Sequence, residues 1–183
     1  MKKDQLGQAL SLGIYWYIPN NSNSWMFLLR LSNALKEFSV RYAIVGGYAV
    51  SLHGAVRGTL DIDIIISLTE KDYTNAERAL RSIELQPRLP VTAIELFKFR
   101  EEYIKNRNLV AWSFVNSNNP IEVVDIIITN DLNEIKTVDM AVGSEKIRVI
   151  ALPELIKMKA SSNRPQDIED IKALRHIKRH ETG

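Results

Sequence analysis

Cysteine is absent from all 183 residues. No disulfide framework and no thiolate metal site can therefore form, and the fold has to be held by its core. Long apolar runs are missing too. No stretch approaches the roughly 18 consecutive apolar residues that a membrane span needs. The mildly apolar run 9–18 behind Lys2 and Lys3 fails as a signal peptide. Ser11, Gly13 and three aromatic residues interrupt it, Pro19 and the polar stretch 20–24 end it, and no small-x-small cleavage site follows. These absences predict a cytoplasmic protein with no membrane partner. Residues 1–24 are expected to form a loosely attached N-terminal arm, and 25–183 a single domain ending in helices. Charge of one sign is also scarce: 24 Lys and Arg stand against 22 Asp and Glu, a formal net charge of +2. That balance argues against a protein that coats nucleic acid by bulk electrostatics, so any basic site must be local. There is no internal repeat and no low-complexity tract. What is present, 45% hydrophobic and 25% charged residues, suffices for one sizeable core.

Apolar spacing predicts an amphipathic helix over 25–38, with Met26, Leu28, Leu29, Leu31, Ala34, Leu35 and Phe38 on its buried side. A short strand over 42–45 stops at Gly46-Gly47, and 48–53 reads as a short helix closed by Gly54. After a loop, residues 61–67 alternate carboxylate and isoleucine before turning wholly apolar, the pattern of a central strand whose first residues reach an open edge. Thr69 is placed to cap a helix over 70–83, which Pro87 and Pro90 break off. A helix is expected over 94–106. Two β-rich runs, 109–115 and 121–129, flank the turn-forming 116–120 as a hairpin. A second hairpin pairs 137–142 with 146–151 around Gly143. Two helices, 153–161 and 165–179, follow with a break at 163–165.

The chemistry-bearing residues stand out against this background. Asp61 and Asp63 lie two apart on a predicted strand, so both side chains leave the same face. Paired carboxylates in an isoleucine-rich strand are unfavourable unless a cation neutralises them. Mg²⁺ is the natural partner, because it binds through one or two carboxylates together with phosphate oxygens, and a two-ion arrangement serves in-line displacement. Gly46-Gly47 ends one strand and opens a helix, where backbone N–H groups can cradle phosphate; the alternative is an ordinary tight turn. Asp125 is alone among Val123, Val124, Ile126, Ile127 and Ile128. On a strand beside Asp61 and Asp63 it would complete the metal site and accept the proton of an attacking hydroxyl. Otherwise it is a paired structural aspartate near a strand end. Glu122, three residues earlier, faces the other side of a regular strand.

The run Gly46-Gly47-Tyr48-Ala49-Val50 through His53-Gly54, followed by Arg57-Gly58-Thr59-Leu60-Asp61-Ile62-Asp63, resembles the nucleotidyltransferase superfamily of DNA polymerase β. It looks closest to the abortive-infection toxin-like branch. Leu152-Pro153-Glu154-Leu155-Ile156 leading to Lys159, Arg164, Asp167 and Asp170 is similar to that branch's C-terminal Lys…Arg-x-x-Asp-x-x-Asp pattern, so the resemblance spans about 27 to 176. It implies an α/β fold, a mixed sheet flanked by helices. It also implies Mg²⁺-dependent transfer, with Mn²⁺ as a substitute, of a nucleoside monophosphate from a nucleoside triphosphate such as ATP, with release of pyrophosphate. Asp61 and Asp63 match the metal ligands and Asp125 the third carboxylate. Many relatives carry Gly-Ser where this chain has Gly46-Gly47, so a hydroxyl contact to phosphate is missing here. Lys159 and Arg164 are candidates to meet the triphosphate, or are simply basic residues near a helix end. Asp167 and Asp170, sharing a helix face, are expected to anchor Arg57 or Arg164 rather than bind metal. Arg57 and Thr59 flank the nucleotide site, and Arg57 either touches phosphate or orients Asp61.

Other residues carry less. His176 and His180 have ligand spacing, yet Lys178 and Arg179 beside them mark a solvated basic helix end. His53 is expected to pack beside the glycine turn. Trp16, Trp25 and Trp112 are too scattered for a base-stacking platform. The acceptor stays open between RNA such as tRNA ends, a partner protein and a small molecule. A toxin with a cognate antitoxin and a lincosamide- or aminoglycoside-modifying enzyme would use the same core. A non-catalytic nucleotide-binding regulator of the same fold is the alternative of a different class.

Overall fold

The computed structural model describes residues 22–162 and 164–181; most of the arm expected over 1–24, including Trp16, lies outside them. The helix expected from 25 begins earlier, as α1 (Ser22–Glu37). Phe27, Leu28, Leu31, Ala34 and Leu35 form its buried side. Met26, expected in the core, is 66% exposed, because one helical step of about 100° carries it off the stripe that its neighbours bury. Ser39, at φ 56°, closes the helix.

The chain then runs through β1 (Tyr42–Ile44), α2 (Gly46–Leu52) and β2 (Asp61–Ile66). It continues into α3 (Glu70–Ser82), whose start is capped by Thr69 accepting from the Asp72 amide at 3.0 Å. A three-residue strand that the proline pattern did not predict, β3 (Leu85–Pro87), follows. It sits at the sheet edge, where Pro87's lack of an N–H breaks no ladder. The single helix expected over 94–106 is two, α4 (Ala93–Lys98) and α5 (Arg100–Arg107), divided at Phe99. Ala93 and Leu96 bury α4, whereas α5 buries no residue fully, and Arg100 at the bend donates to the Ile128 carbonyl at 2.6 Å. The expected hairpins are present as β4 (Ala111–Asn116) with β5 (Val123–Ile127) and β6 (Thr137–Val142) with β7 (Glu145–Ile150). Gly143 takes φ +61° in the second turn. Two helices, α6 (Leu152–Ser162) and α7 (Pro165–Glu181), end the described chain.

All seven described strands form one mixed sheet in the order β3-β4-β5-β2-β1-β7-β6. The α/β fold expected from the sequence is therefore present, with β2 at its centre. β2 runs parallel to β5 and antiparallel to β1. One sheet face is dry: Ile62, Ile64, Trp112, Phe114, Val124 and Ile126 are fully buried there, with the Trp112 and Phe114 rings 4.5 Å apart edge to face. The opposite face over β4 and β5, which carries Ser113, Val123, Asp125 and Ile127, is only partly covered. No helix among the described residues is long and apolar enough to cross a membrane.

α6 and α7 are clamped together by charge. The side chain of Lys159 is 6% exposed and lies 2.9 Å from Asp167 and 2.8 Å from Asp170, themselves buried. Arg164 meets Asp167 at 2.9 Å, and Arg57, from the loop before β2, meets Asp170 at 3.4 Å. Burial alone would raise the Asp167 pKa. Hydrogen bonds from Arg164 and Lys159 overcome it and leave the carboxyl well below the usual carboxylate range. Removing one partner of such a buried network leaves uncompensated charge. Lys159→Met is expected to cost about 3–5 kcal/mol, a fall in melting temperature of roughly 6–20 °C, measured by calorimetry. Adding Asp170→Asn should recover part of that loss.

Candidate active site

The register of the central strands assembles the site. Asp63 is directly opposite Asp125 in the parallel β2–β5 ladder, and Asp61 is opposite Val123. Residues paired across a ladder point to one face, and alternation puts Asp61 on that face too, so three carboxylates meet on the open side of the sheet. One oxygen from each lies within 4.8 Å of the others, with Asp61 the most open. Oδ1 of Asp125 is buried and has no hydrogen-bond partner. Burial, followed by the charges of Asp61 and Asp125, pushes the Asp63 pKa up to about 7, against the opposing pull of Lys159 and Arg164. Converging hard oxygen donors, one of them orphaned, fit a divalent cation such as Mg²⁺ or Mn²⁺.

Both glycines are required by space. Gly46 has φ +60°, and a Cβ there would stand 1.7 Å from Oδ2 of Asp63. A side chain at 46 would evict the central carboxylate. A Cβ on Gly47 would lie 2.8 Å from Cβ of Thr59 and 2.9 Å from its hydroxyl. Thr59 thus packs against the first turn of α2, and its hydroxyl donates to Oδ1 of Asp61 at 2.7 Å. The loop carrying Thr59 is tied back by Ser51, whose hydroxyl donates to the Arg57 carbonyl at 2.9 Å.

These contacts show which side chain holds Asp61. Thr59 is the residue that orients Asp61, while Arg57 holds Asp170 and the Gly58 carbonyl. Asp167 and Asp170 anchor cations, as expected. Lys159 is engaged by both of these carboxylates, so its charge reaches the site through Asp63 rather than through a free ammonium. Arg164, although bound to Asp167, keeps 71% of its side chain exposed and lines the cavity next to Asp63. Glu122 takes hydrogen bonds from Arg30 and Asn116, away from the site. His53 Nε2 donates to the Ile150 carbonyl at 2.8 Å, tying α2 to β7. Trp25 stands edge-on to Tyr48, with ring centroids 6.1 Å apart, and Trp112 is core. Polar residues from two segments line the cavity without being singled out by sequence: Asn130 and Glu134 after β5, and Glu154, Lys157, Ser161 and Ser162 on α6. Polar residues in a loop and along a helix carry no periodic signal.

A family model described as "Nucleotidyltransferase of unknown function (DUF6036)" matches residues 28–182. No curated protein matches the sequence. Several solved structures share the fold. The antibiotic-resistance factor ANT(2″)-Ia superposes with a TM-score of 0.58 at 12% identity, over 87% of this chain and 84% of that one. The lincosamide antibiotic adenylyltransferase LnuA, in its lincomycin-bound form, gives 0.58 at 13% identity over 83% and 96%. An antigenic nucleotidyltransferase-like protein from Paracoccidioides brasiliensis gives 0.55 at 16% identity over 84% and 76%. At such identities the likeness is one of fold.

The site generates two predictions. A carboxyl whose pKa is raised in the folded state contributes stability at low pH that is lost as pH rises through the folded value. In metal-free buffer the protein should therefore lose up to about 4 kcal/mol, spread evenly from the ordinary aspartate range near pH 4 up to the Asp63 pKa of about 7, with little further loss above it. Denaturant melts across that range should show the loss in the wild type and flatten in Asp63→Asn. Because the ligand must be ionised, affinity for Mn²⁺ should rise over the same interval. Thr59→Val keeps the packing against Gly47 but removes the hydrogen bond to Asp61. It should weaken Mn²⁺ binding, read by paramagnetic resonance, by about 10–100-fold with little change in melting temperature. Thr59→Ser should retain wild-type affinity.

Proposed function

From the premise that this chain belongs to the nucleotidyltransferase family whose model spans residues 28–182, we propose that it moves a nucleoside monophosphate from a nucleoside triphosphate to a hydroxyl acceptor. The observation that carries this reading is the meeting of Asp61, Asp63 and Asp125 on one sheet face, with a buried Asp125 oxygen left unpartnered. Asp61, Asp63 and Asp125 are the residues to hold Mg²⁺, which when bound would neutralise phosphate charge and stabilise the attacking and leaving oxygens. Arg164 lends its exposed guanidinium to the phosphates. Gly46 and Gly47 make room for the Asp63 and Thr59 side chains, which leaves the backbone at that end of α2 to meet the phosphates. The acceptor oxygen bonds to the α-phosphorus, the bond from that phosphorus to the bridging oxygen of the β-phosphate breaks, and pyrophosphate leaves. Asp125 takes the acceptor's proton.

For the acceptor, the C-terminal Lys159…Arg164-x-x-Asp167-x-x-Asp170 pattern supports the toxin-like branch, with a tRNA end or partner protein as target and a cognate antitoxin as regulator. A small-molecule acceptor is the second reading, favoured by the fold shared with an antibiotic-resistance factor and a lincosamide adenylyltransferase. Retention of all three carboxylates speaks against a regulator without turnover. The decisive experiment incubates the protein with each labelled nucleoside triphosphate, Mg²⁺ and a cell extract or an antibiotic panel, and identifies the labelled species. Label in RNA or protein supports the first acceptor reading, label in an antibiotic the second, and label nowhere defeats transfer.

The role of Asp125 is tested on the same preparation. Asp125→Asn keeps the shape and removes the base. Transfer should fall by roughly 10²–10⁴-fold while the triphosphate still binds. A lower melting point with the rate per folded molecule intact would make Asp125 structural.

A further inference from the structure

The cavity beside Asp63 has a volume of about 540 Å³, far more than a metal site requires and within the range of small-ligand pockets. It lies between the open sheet face and α6. Val45, Ile127, Ile135, Ile150 and Met158 contribute apolar surface suited to a planar ring. Its polar groups differ along α6. Glu154 is in the first turn with Lys157 about one turn on, whereas Ser161, Ser162 and then Arg164 follow at the other end. At the rise of an α-helix, Glu154 and Ser162 are about 12 Å apart. Arg164, just past the end of this run, lines the cavity together with Asp63 and keeps most of its side chain exposed, so the phosphate-facing end lies on its side. At the other end Glu134 joins Glu154, because the Lys136 carbonyl accepts from the Ala151 amide at 2.8 Å and draws the two segments together. Neither carboxylate has an ion-pair partner among the described residues. In the same cavity lining, Asn130 Oδ1 is taken by the Thr129 hydroxyl at 3.0 Å, which leaves its amide NH₂ as a donor.

An ionised carboxylate can only accept hydrogen bonds. Adenine and cytosine present an exocyclic amino group on the edge where uracil presents a carbonyl oxygen, and guanine carries an amino group of its own. Resting on the donor reading above, we infer that this cavity is the nucleoside pocket and that Glu134 and Glu154 make it select amino-bearing bases against uracil. An exocyclic amino group offers two N–H donors, one for each carboxylate, whereas uracil offers a single ring N–H beside a carbonyl, so at least one carboxylate faces an acceptor and is left unpaired, the kind of mismatch that discriminates strongly between similar ligands.

The test uses the full chain with Mg²⁺ and the non-hydrolysable α,β-methylene analogues of ATP, GTP, CTP and UTP, with dissociation constants measured by calorimetry. The UTP analogue should bind at least about tenfold more weakly than the best of the other three. In Glu134→Gln/Glu154→Gln, whose amides can donate to a carbonyl, the gap should close to within about threefold, mainly by loss of affinity for the amino-bearing analogues. The single variants should each give part of the effect, and melting curves verify that all are folded. Equal or tighter binding of the UTP analogue by the wild type overturns the inference. So does a double variant with unchanged preference, which would assign the cavity to the acceptor while leaving the transferase reading intact. Binding of none of the four defeats the donor reading and this inference together.

Discussion

Mutual repulsion among Asp61, Asp63 and Asp125 is the constraint around which the domain is arranged. Isoleucine fills the rest of β2 and valine and isoleucine the rest of β5, so the strands are driven into the centre of the sheet by burial, and the carboxylates go with them. The fold answers with cations brought from distant parts of the chain. Arg57 precedes β2, whereas Lys159 and Arg164 come from the C-terminal helices. These cations carry acids of their own, however. Among the described ion pairs of this cluster, five carboxylates, Asp61, Asp63, Asp125, Asp167 and Asp170, face the three cations Arg57, Lys159 and Arg164 when all are ionised. The deficit equals the charge of one divalent ion. Without such an ion, Asp63 relieves the imbalance by holding its proton to about pH 7.

The clamp between α6 and α7 links stability to the site. Lys159 sits between Asp167 and Asp170, Asp170 meets Arg57, and the loop of Arg57 carries Thr59, which holds Asp61. A chain of ion pairs and hydrogen bonds thus runs from the C-terminal helices to the edge of the carboxylate cluster. The same helices supply the wall of the cavity. Their docking therefore sets the cavity's width and the orientation of Asp61 at once.

Charge in an apolar strand was the most legible signal in the sequence. Asp61, Asp63 and Asp125 were readable because each is expensive where it stands unless something compensates it, and the register brings the three together. Gly46-Gly47 was readable as a place that excludes side chains, but the reason is tertiary: the neighbours that forbid a Cβ are Asp63 and Thr59, both more than ten residues away in sequence. Lys159 was ambiguous for the opposite reason. A basic residue on a helix looks the same in sequence whether it reaches solvent, phosphate or two buried aspartates. The split at Phe99 and the three-residue β3 were illegible because tertiary contacts, the Arg100 bond to Ile128 and pairing with β4, decide them rather than local pattern.

The Gly-Gly pair also explains its own departure from the Gly-Ser of many relatives that the sequence resembles. A serine at 47 has no room, since Thr59 already fills the space its Cβ would enter. The Thr59 hydroxyl stands 2.9 Å from that vacant Cβ position, so a hydroxyl is present at this corner of the site but is delivered from the loop instead of the helix. There it is committed to Asp61 at 2.7 Å. Moving the hydroxyl from helix to loop changes its task from meeting a ligand to aiming a carboxylate. In the transfer reaction proposed above, recognition of phosphate would then fall to the backbone of α2 and to Arg164, the cation of the cluster that keeps most of its side chain exposed.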